Sequence, residues 1–157
     1  MVSVAVSKLG STVPFFVTPP AKVNSVYYCE QVLLNGLLPD IRLQFGDDYI
    51  FQPDCAAAHR SRHTVAFLTY NVPEFNEPDS WLSDSPDRNP VDYSIWGSLQ
   101  QLVYLQKILS IQHLKDVIID CWSEISQQFI NGAIDQWSRR IAAVVTASGR
   151  HIEYSLD

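Results

Sequence analysis

Two stretches of this chain place carboxylates where chemistry on a phosphate could use them. In the first, the β-branched and aromatic run Tyr49, Ile50, Phe51 leads through Gln52 and Pro53 to Asp54, and His59 follows. A strand of an α/β sheet that ends on an acid presents it at the edge where ligands bind. A carboxylate there is a hard oxygen donor, suited to a divalent cation. In the second, Asn89 and Pro90 read as a helix start, with Asn as the cap and Pro in the first turn. Asp92 then falls in that first turn, where the helix dipole favours a negative charge, and Ile95 and Trp96 turn to the core. Acids from two distant segments can hold Mg2+ or Mn2+ for phosphoryl transfer, a site that usually needs more than two carboxylates. Each acid also suits a plainer role: Asp54 closing a turn, Asp92 serving only its helix start.

Other candidates weigh less. His59, Arg60, Arg62 and His63 form a basic cluster after Asp54, able to touch DNA phosphate or to be the solvated face of a helix. Arg139 and Arg140 read as surface residues, and Trp96, Trp122 and Trp137 as core rather than base-stacking platforms. His113 and His151 have no cysteine or histidine partners at zinc spacing. Cys29, Cys55 and Cys121 follow no CxxC pattern and read as free thiols in a reducing compartment. The net charge of −6 argues mildly against tight binding of free duplex DNA by this chain alone. Neither a signal peptide nor an apolar run long enough to span a membrane is visible.

The elements that must carry these residues follow from periodicity. Met1 to Val6 reads as a strand with Val2, Val4 and Val6 on one face. A turn at Lys8 to Ser11 and a second β run over Thr12 to Val17 complete a hairpin, ended by Thr18, Pro19 and Pro20. Asn24 to about Phe45 is helical, with Asn24 or Ser25 as cap and Gly36 and Pro39 breaking or kinking it. Gly46 to Asp48 is a turn before the Tyr49–Phe51 strand. His59 to about Asn71 is a second helix. Val72 to Pro90, with prolines at 73, 78, 86 and 90, is mostly loop. Helices then cover Val91 to Lys107, Ile111 to Ile125 and Gln127 to Thr146, with Ser110 and Ser126 as caps and Gly149 as a stop. The order is that of an α/β domain with a mixed sheet, in which three strands are few for 157 residues.

The two acidic segments resemble the second and third acidic motifs of the mariner superfamily of transposases. The first stands as Phe51-Gln52-Pro53-Asp54-Cys55-Ala56-Ala57-Ala58-His59, the second as Asp84-Ser85-Pro86-Asp87-Arg88-Asn89-Pro90-Val91-Asp92-Tyr93. With 37 residues between the acids (92 − 54 − 1), the spacing suits a branch whose third acid is Asp. Val2 to Val17 is similar to the hairpin after the family's first catalytic strand. Val23 to Leu38 resembles its Tyr-Tyr helix, and Gly149 to Glu153 its closing phrase.

The resemblance implies a single partial catalytic domain over residues 1–157, ribonuclease H-like, with a mixed sheet lacking its first strand and a helical C-terminal half. It implies Asp54 and Asp92 as catalytic and metal-holding acids for Mg2+ or Mn2+, and His59, Arg60 and Arg62 facing DNA. It also implies a nuclear location; DNA and a second copy of the chain are the expected partners, and the lack of a long apolar run argues against a membrane. The parent activity would be metal-dependent DNA cleavage and strand transfer. The family's first acid belongs to a strand that would precede residue 1, and its helix-turn-helix region has no counterpart here. Asp40, Asp47 and Asp48 lie at a helix exit and turn and do not substitute for that acid. Pro53, Cys55 and Ala57 depart from the first motif, and Leu82, Ser83, Asp84 and Arg88 from the second. Pro53 has no N–H to donate, and Cys55 would be strained at a position of positive φ. The expectation is an inactive, decayed transposase remnant. The alternatives are an active enzyme as part of a longer chain, or a protein-interaction module that uses exposed sheet surface.

Overall fold

The structure is a computed structural model that describes residues 1–19, 21–54, 56–78, 86–147 and 152. The expectations for Pro20, Cys55, Leu82 to Asp84 and the closing phrase around Gly149 lie outside these residues. Two compact units alternate along the chain, Met1–Ala5 with Phe15–Asp84, and Val6–Pro14 with Ser85–Asp157.

In the first unit, β1 (Val2–Ser3) pairs antiparallel with β4 (Phe15–Phe16), Val2 opposite Phe16. In the second, β2 (Val6–Ser7) and β3 (Gly10–Ser11) close on a two-residue turn, Lys8 and Leu9, with Val6 opposite Ser11. The two long strands expected over Met1–Val6 and Thr12–Val17 are therefore each interrupted. Pro14 lies in the gap on the second arm and has no N–H for a ladder. Ser7 Oγ accepts from Leu9 N at 3.0 Å and tightens the turn.

Helix α1 begins at Ser25–Tyr27, capped as expected by Asn24, whose side chain accepts from Tyr27 N at 2.9 Å. It widens into a π-helical stretch, Tyr28–Leu37, and returns to α geometry over Leu38–Phe45. Gly36 and Pro39 do not break it. Pro39 stands just past the change from π to α geometry. Gly36 admits the Phe15 ring: a Cβ there would sit 2.7 Å from Phe15 Cδ2. Gly46, at φ 65°, ends the helix in a conformation that glycine adopts without strain.

Strand β5 (Ile50–Phe51) pairs in parallel with β6 (Glu74–Phe75), Phe51 opposite Phe75, and α2 (Arg62–Asn71) links them. β6 lies inside the segment expected to be loop. α2 starts later than His59 because Ser61 is its cap, accepting from Thr64 N at 3.1 Å. Val17, Tyr28, Val32, Leu33, Leu37, Leu38, Ile41, Phe51, Leu68 and Val72 form the core of this unit.

The second unit is mainly helical. A π turn, Val91–Ile95, runs into Trp96–Tyr104 to make α3. α4 (Ile111–Glu124), α5 (Gln127–Asp135) and α6 (Trp137–Thr146) follow. Ser110 and Ser126 are the caps, accepting from His113 N and Phe129 N. The single helix expected over Gln127–Thr146 divides at Gln136. Buried Trp122 donates through Nε1 to Thr12 O at 2.9 Å, and Gln127 Nε2 to Ser7 O at 2.8 Å, fastening the β2–β3 turn to α4 and α5. Trp96 tilts against Trp122 at 6.5 Å and is half-buried, as is Trp137.

Arg140, expected at the surface, is buried. Its guanidinium lies 3.9 Å above the Tyr93 ring, and Nη1 donates to Asp87 O at 3.4 Å. Arg carries a weakly hydrated planar charge that stacks on aromatic faces, so an isolated Arg-Arg pair in sequence does not mark a solvated face.

Among the described residues no helix is long and apolar enough to cross a membrane.

Glycine positions give a direct stability test. Gly36→Val forces a branched side chain against Phe15 and lowers unfolding free energy by about 1–3 kcal/mol. Gly132→Ala, whose Cβ meets nothing within 4 Å in α5, raises it by up to about 1 kcal/mol. Urea denaturation of the two variants is expected to show opposite shifts in midpoint.

Candidate functional site

Asp54 is delivered by the β5–β6 pair. Beyond the ladder, Asn76 N donates to Phe51 O at 3.1 Å, and the Asn76 amide bonds the Gln52 side chain. Gln52 Nε2 also donates to Pro53 O at 3.0 Å. These bonds pin the strand exit that a backbone N–H at position 53 cannot pin. Asn76 was not legible as a positioning residue, because a two-residue strand leaves no periodicity to read.

From that exit the carboxylate turns back on its own loop. Asp54 Oδ1 accepts from Ala56 N at 2.9 Å and also meets His59 Nδ1. The turn-closing role open to Asp54 in the sequence is thus present, and it occupies one oxygen. Among the described residues Oδ2 is engaged by none, and the side chain is 46% exposed. Burial pushes the Asp54 carboxyl upward in pKa. The hydrogen bond and charge of His59 and the Ala56 N–H together outweigh it, so the group lies below its ordinary value.

His59 is not a surface residue of a helix. It lies in the turn before α2, its N donating to Ala56 O at 2.8 Å, and its side chain is 14% exposed. The imidazole stacks on Tyr28 with centroids 3.6 Å apart and planes 21° apart. Tyr28 is a core residue, its hydroxyl pushed well above its ordinary pKa by burial and then by the charge of Asp54. Buried Thr64 donates through Oγ1 to Ala58 O at 2.6 Å and accepts from Cys29 Sγ at 3.5 Å. Arg60, Arg62 and His63 are exposed.

In the second unit the motif's two described acids separate sharply. Asp87, in the 3-10 turn Pro86–Arg88, is 3% exposed. Its Oδ2 accepts from Ile152 N at 3.2 Å, and its backbone carbonyl takes Arg140. Asp92 is exposed. Asn89 caps the segment, its side chain accepting from Val91 N at 3.0 Å and its backbone carbonyl from Asp92 N at 2.9 Å. Tyr93 is anchored by its hydroxyl, which donates to Ala133 O, and by the Arg140 stack. Asp87 is a structural staple, and Asp92 faces solvent from a first turn that is fixed on both sides.

Asp54 and Asp92 match Mg2+ or Mn2+ in donor type, as solvent-accessible carboxylate oxygens. The match is short in number: among the described residues no group of three or more His, Cys, Asp or Glu side chains forms a cation cage.

Comparison with known proteins gives sequence and structural relatives. The Tcb2 transposable element transposase of Caenorhabditis briggsae is 25% identical over 139 residues, 87% of this chain and 50% of that protein. The Tcb1 transposase of the same species is 25% identical over 128 residues, 82% of this chain and 45% of that protein. The chain spans about half the length of the curated relatives it matches. The catalytic domain of the Mos1 mariner transposase superposes with a TM-score of 0.79 at 22% identity, over 97% of this chain and 75% of that one. The same domain with raltegravir and Mn gives 0.81 at 21% identity, over 97% and 76%. The Mos1 paired end complex with Mn gives 0.75 at 22%, over 93% and 43%. The fold is ribonuclease H-like, mixed α/β. No family model matches the sequence.

The two acids of the second motif are expected to behave differently on removal. Asp87→Ala leaves the Ile152 N–H without its carboxylate and lowers stability by roughly 1–3 kcal/mol. Asp92→Ala removes an exposed side chain at a helix start, where the charge is worth below about 1 kcal/mol. Thermal or urea unfolding distinguishes them, and equal losses would contradict the separation.

Proposed function

We propose, from the premise that homology to the Tcb1 and Tcb2 transposases and the match to the Mos1 catalytic domain support a mariner-type transposase catalytic domain, that this chain is a transposase-derived nucleic-acid-binding domain that does not cleave DNA by itself. Its parent activity is metal-dependent DNA cleavage and strand transfer. One observation carries the reading: Asp54 keeps an open carboxylate oxygen at the end of a parallel strand, while no cage of three or more metal-binding side chains accompanies it among the described residues.

Asp54 and Asp92 are the residues that would hold Mg2+ or Mn2+, and a cation held there would offset negative charge developing on phosphodiester oxygens. Arg60 and Arg62, exposed on the turn and helix after Asp54, would meet backbone phosphates and position the duplex. DNA is therefore the partner, held by local cations on a chain whose net charge is −6. A second copy of the chain is a further partner in this reading, motivated by the paired end complexes of Mos1, and a nuclear location follows from it.

A second reading, a working enzyme within a longer polypeptide, is favoured by the exposure of both motif acids. Reading the genomic frame upstream of Met1 separates the two: an intact frame with an acid on a strand supports it, and an early stop ends it.

The direct test is a nicking assay on supercoiled and oligonucleotide duplex DNA in Mg2+ and Mn2+. The expected result is binding without metal-dependent cleavage. Cleavage that disappears in both Asp54→Ala and Asp92→Ala would refute inactivity.

A further inference from the structure

We propose that His59 is a positioning residue for Asp54, holding the carboxylate in one orientation through Nδ1, rather than a contact to DNA phosphate. This rests on the reading of Asp54 as a metal ligand.

Asp54 stands at a strand exit with its side chain about half exposed, where an aspartate would ordinarily sample several rotamers. Two nitrogens converge instead on one of its oxygens: Ala56 N donates at 2.9 Å, and His59 Nδ1 lies against the same Oδ1. Together they hold Oδ1 and leave Oδ2 open on a side chain that is about half exposed. The imidazole is itself held, face to face with core residue Tyr28 at 3.6 Å. Its loop is tied by Thr64 Oγ1 to Ala58 O and by His59 N to Ala56 O. A ring clamped in this way, with 14% of its side chain exposed, is poorly placed to reach a phosphate. Arg60 and Arg62 alongside are exposed and free to do so. Partners that orient a metal-binding group change affinity by about 10–100-fold when removed, since a loosely held ligand must be ordered as it binds.

The test uses the whole chain and reads Asp54 χ1 from three-bond 15N–13Cγ couplings. Mn2+ binding is followed in parallel by electron paramagnetic resonance, and duplex binding in EDTA. Wild type is expected to show one rotamer, and His59→Ala averaged couplings with Mn2+ affinity weakened about 10–100-fold and duplex affinity unchanged. His59→Asn, whose amide stands near the place of Nδ1, restores the single rotamer. His59→Gln, whose amide stands near the place of Nε2, does not, and this split cannot come from a general loss of packing. A single Asp54 rotamer in His59→Ala, or equal behaviour of the Asn and Gln variants, overturns the proposal. So does a loss confined to duplex binding. Mn2+ affinity indifferent to Asp54→Asn defeats the reading of Asp54 as a ligand, a failure seen in that variant alone.

Discussion

A carboxylate at the end of a strand is useful only if something keeps it there in one pose, and in this protein that constraint is the contact between Asp54 and His59. The imidazole is anchored on the core through Tyr28. The strand that carries Asp54 is anchored through β6 and Asn76. Acid and histidine therefore meet from two directions, each tied to the buried side of the first unit. The wide π-helical stretch Tyr28–Leu37 belongs to the same support. It contributes Tyr28, Val32, Leu33 and Leu37 to the core while leaving room at Gly36 for the Phe15 ring.

The second unit follows a comparable logic with different chemistry. Its motif contains a buried acid and an exposed one five residues apart, and the buried one holds the fold. Asp87 accepts from Ile152 N, and its carbonyl meets Arg140, whose guanidinium covers Tyr93. Tyr93 also bonds Ala133 through its hydroxyl. That network fixes the 3-10 turn and the helix start from which Asp92 projects. A motif that reads as one functional phrase is therefore divided between a buried structural acid and an exposed one.

Much of this was legible because it is local. The caps Asn24, Ser110 and Ser126 are side chains closing on a backbone three residues away. Asp54 at a strand exit and Asp92 in a first turn follow from neighbours alone. What could not be read depends on distant partners. Strand pairs of two residues, and β6 among prolines, carry no periodicity. The late start of α2 was set by Ser61 winning the cap position over the residues before it. Arg140 looked like a surface cation because its partners, Tyr93 and Asp87, lie about fifty residues away. His59 reads as one member of a basic cluster with Arg60, Arg62 and His63, since a ring stack on Tyr28 leaves no mark in sequence spacing.

The most direct test of the central contact is the protonation of Asp54, followed as a pH titration of its 13Cγ shift in the intact chain. Its folded pKa is depressed, so any stability it contributes is fully present above the pKa of an unfolded aspartate, about 3.9, and is lost as pH falls through the lower folded value. The account predicts a midpoint below that of a free aspartate, because the two donors on Oδ1 outweigh the cost of burial. A midpoint at or above the free value would show that burial prevails and that His59 does not grip the carboxylate.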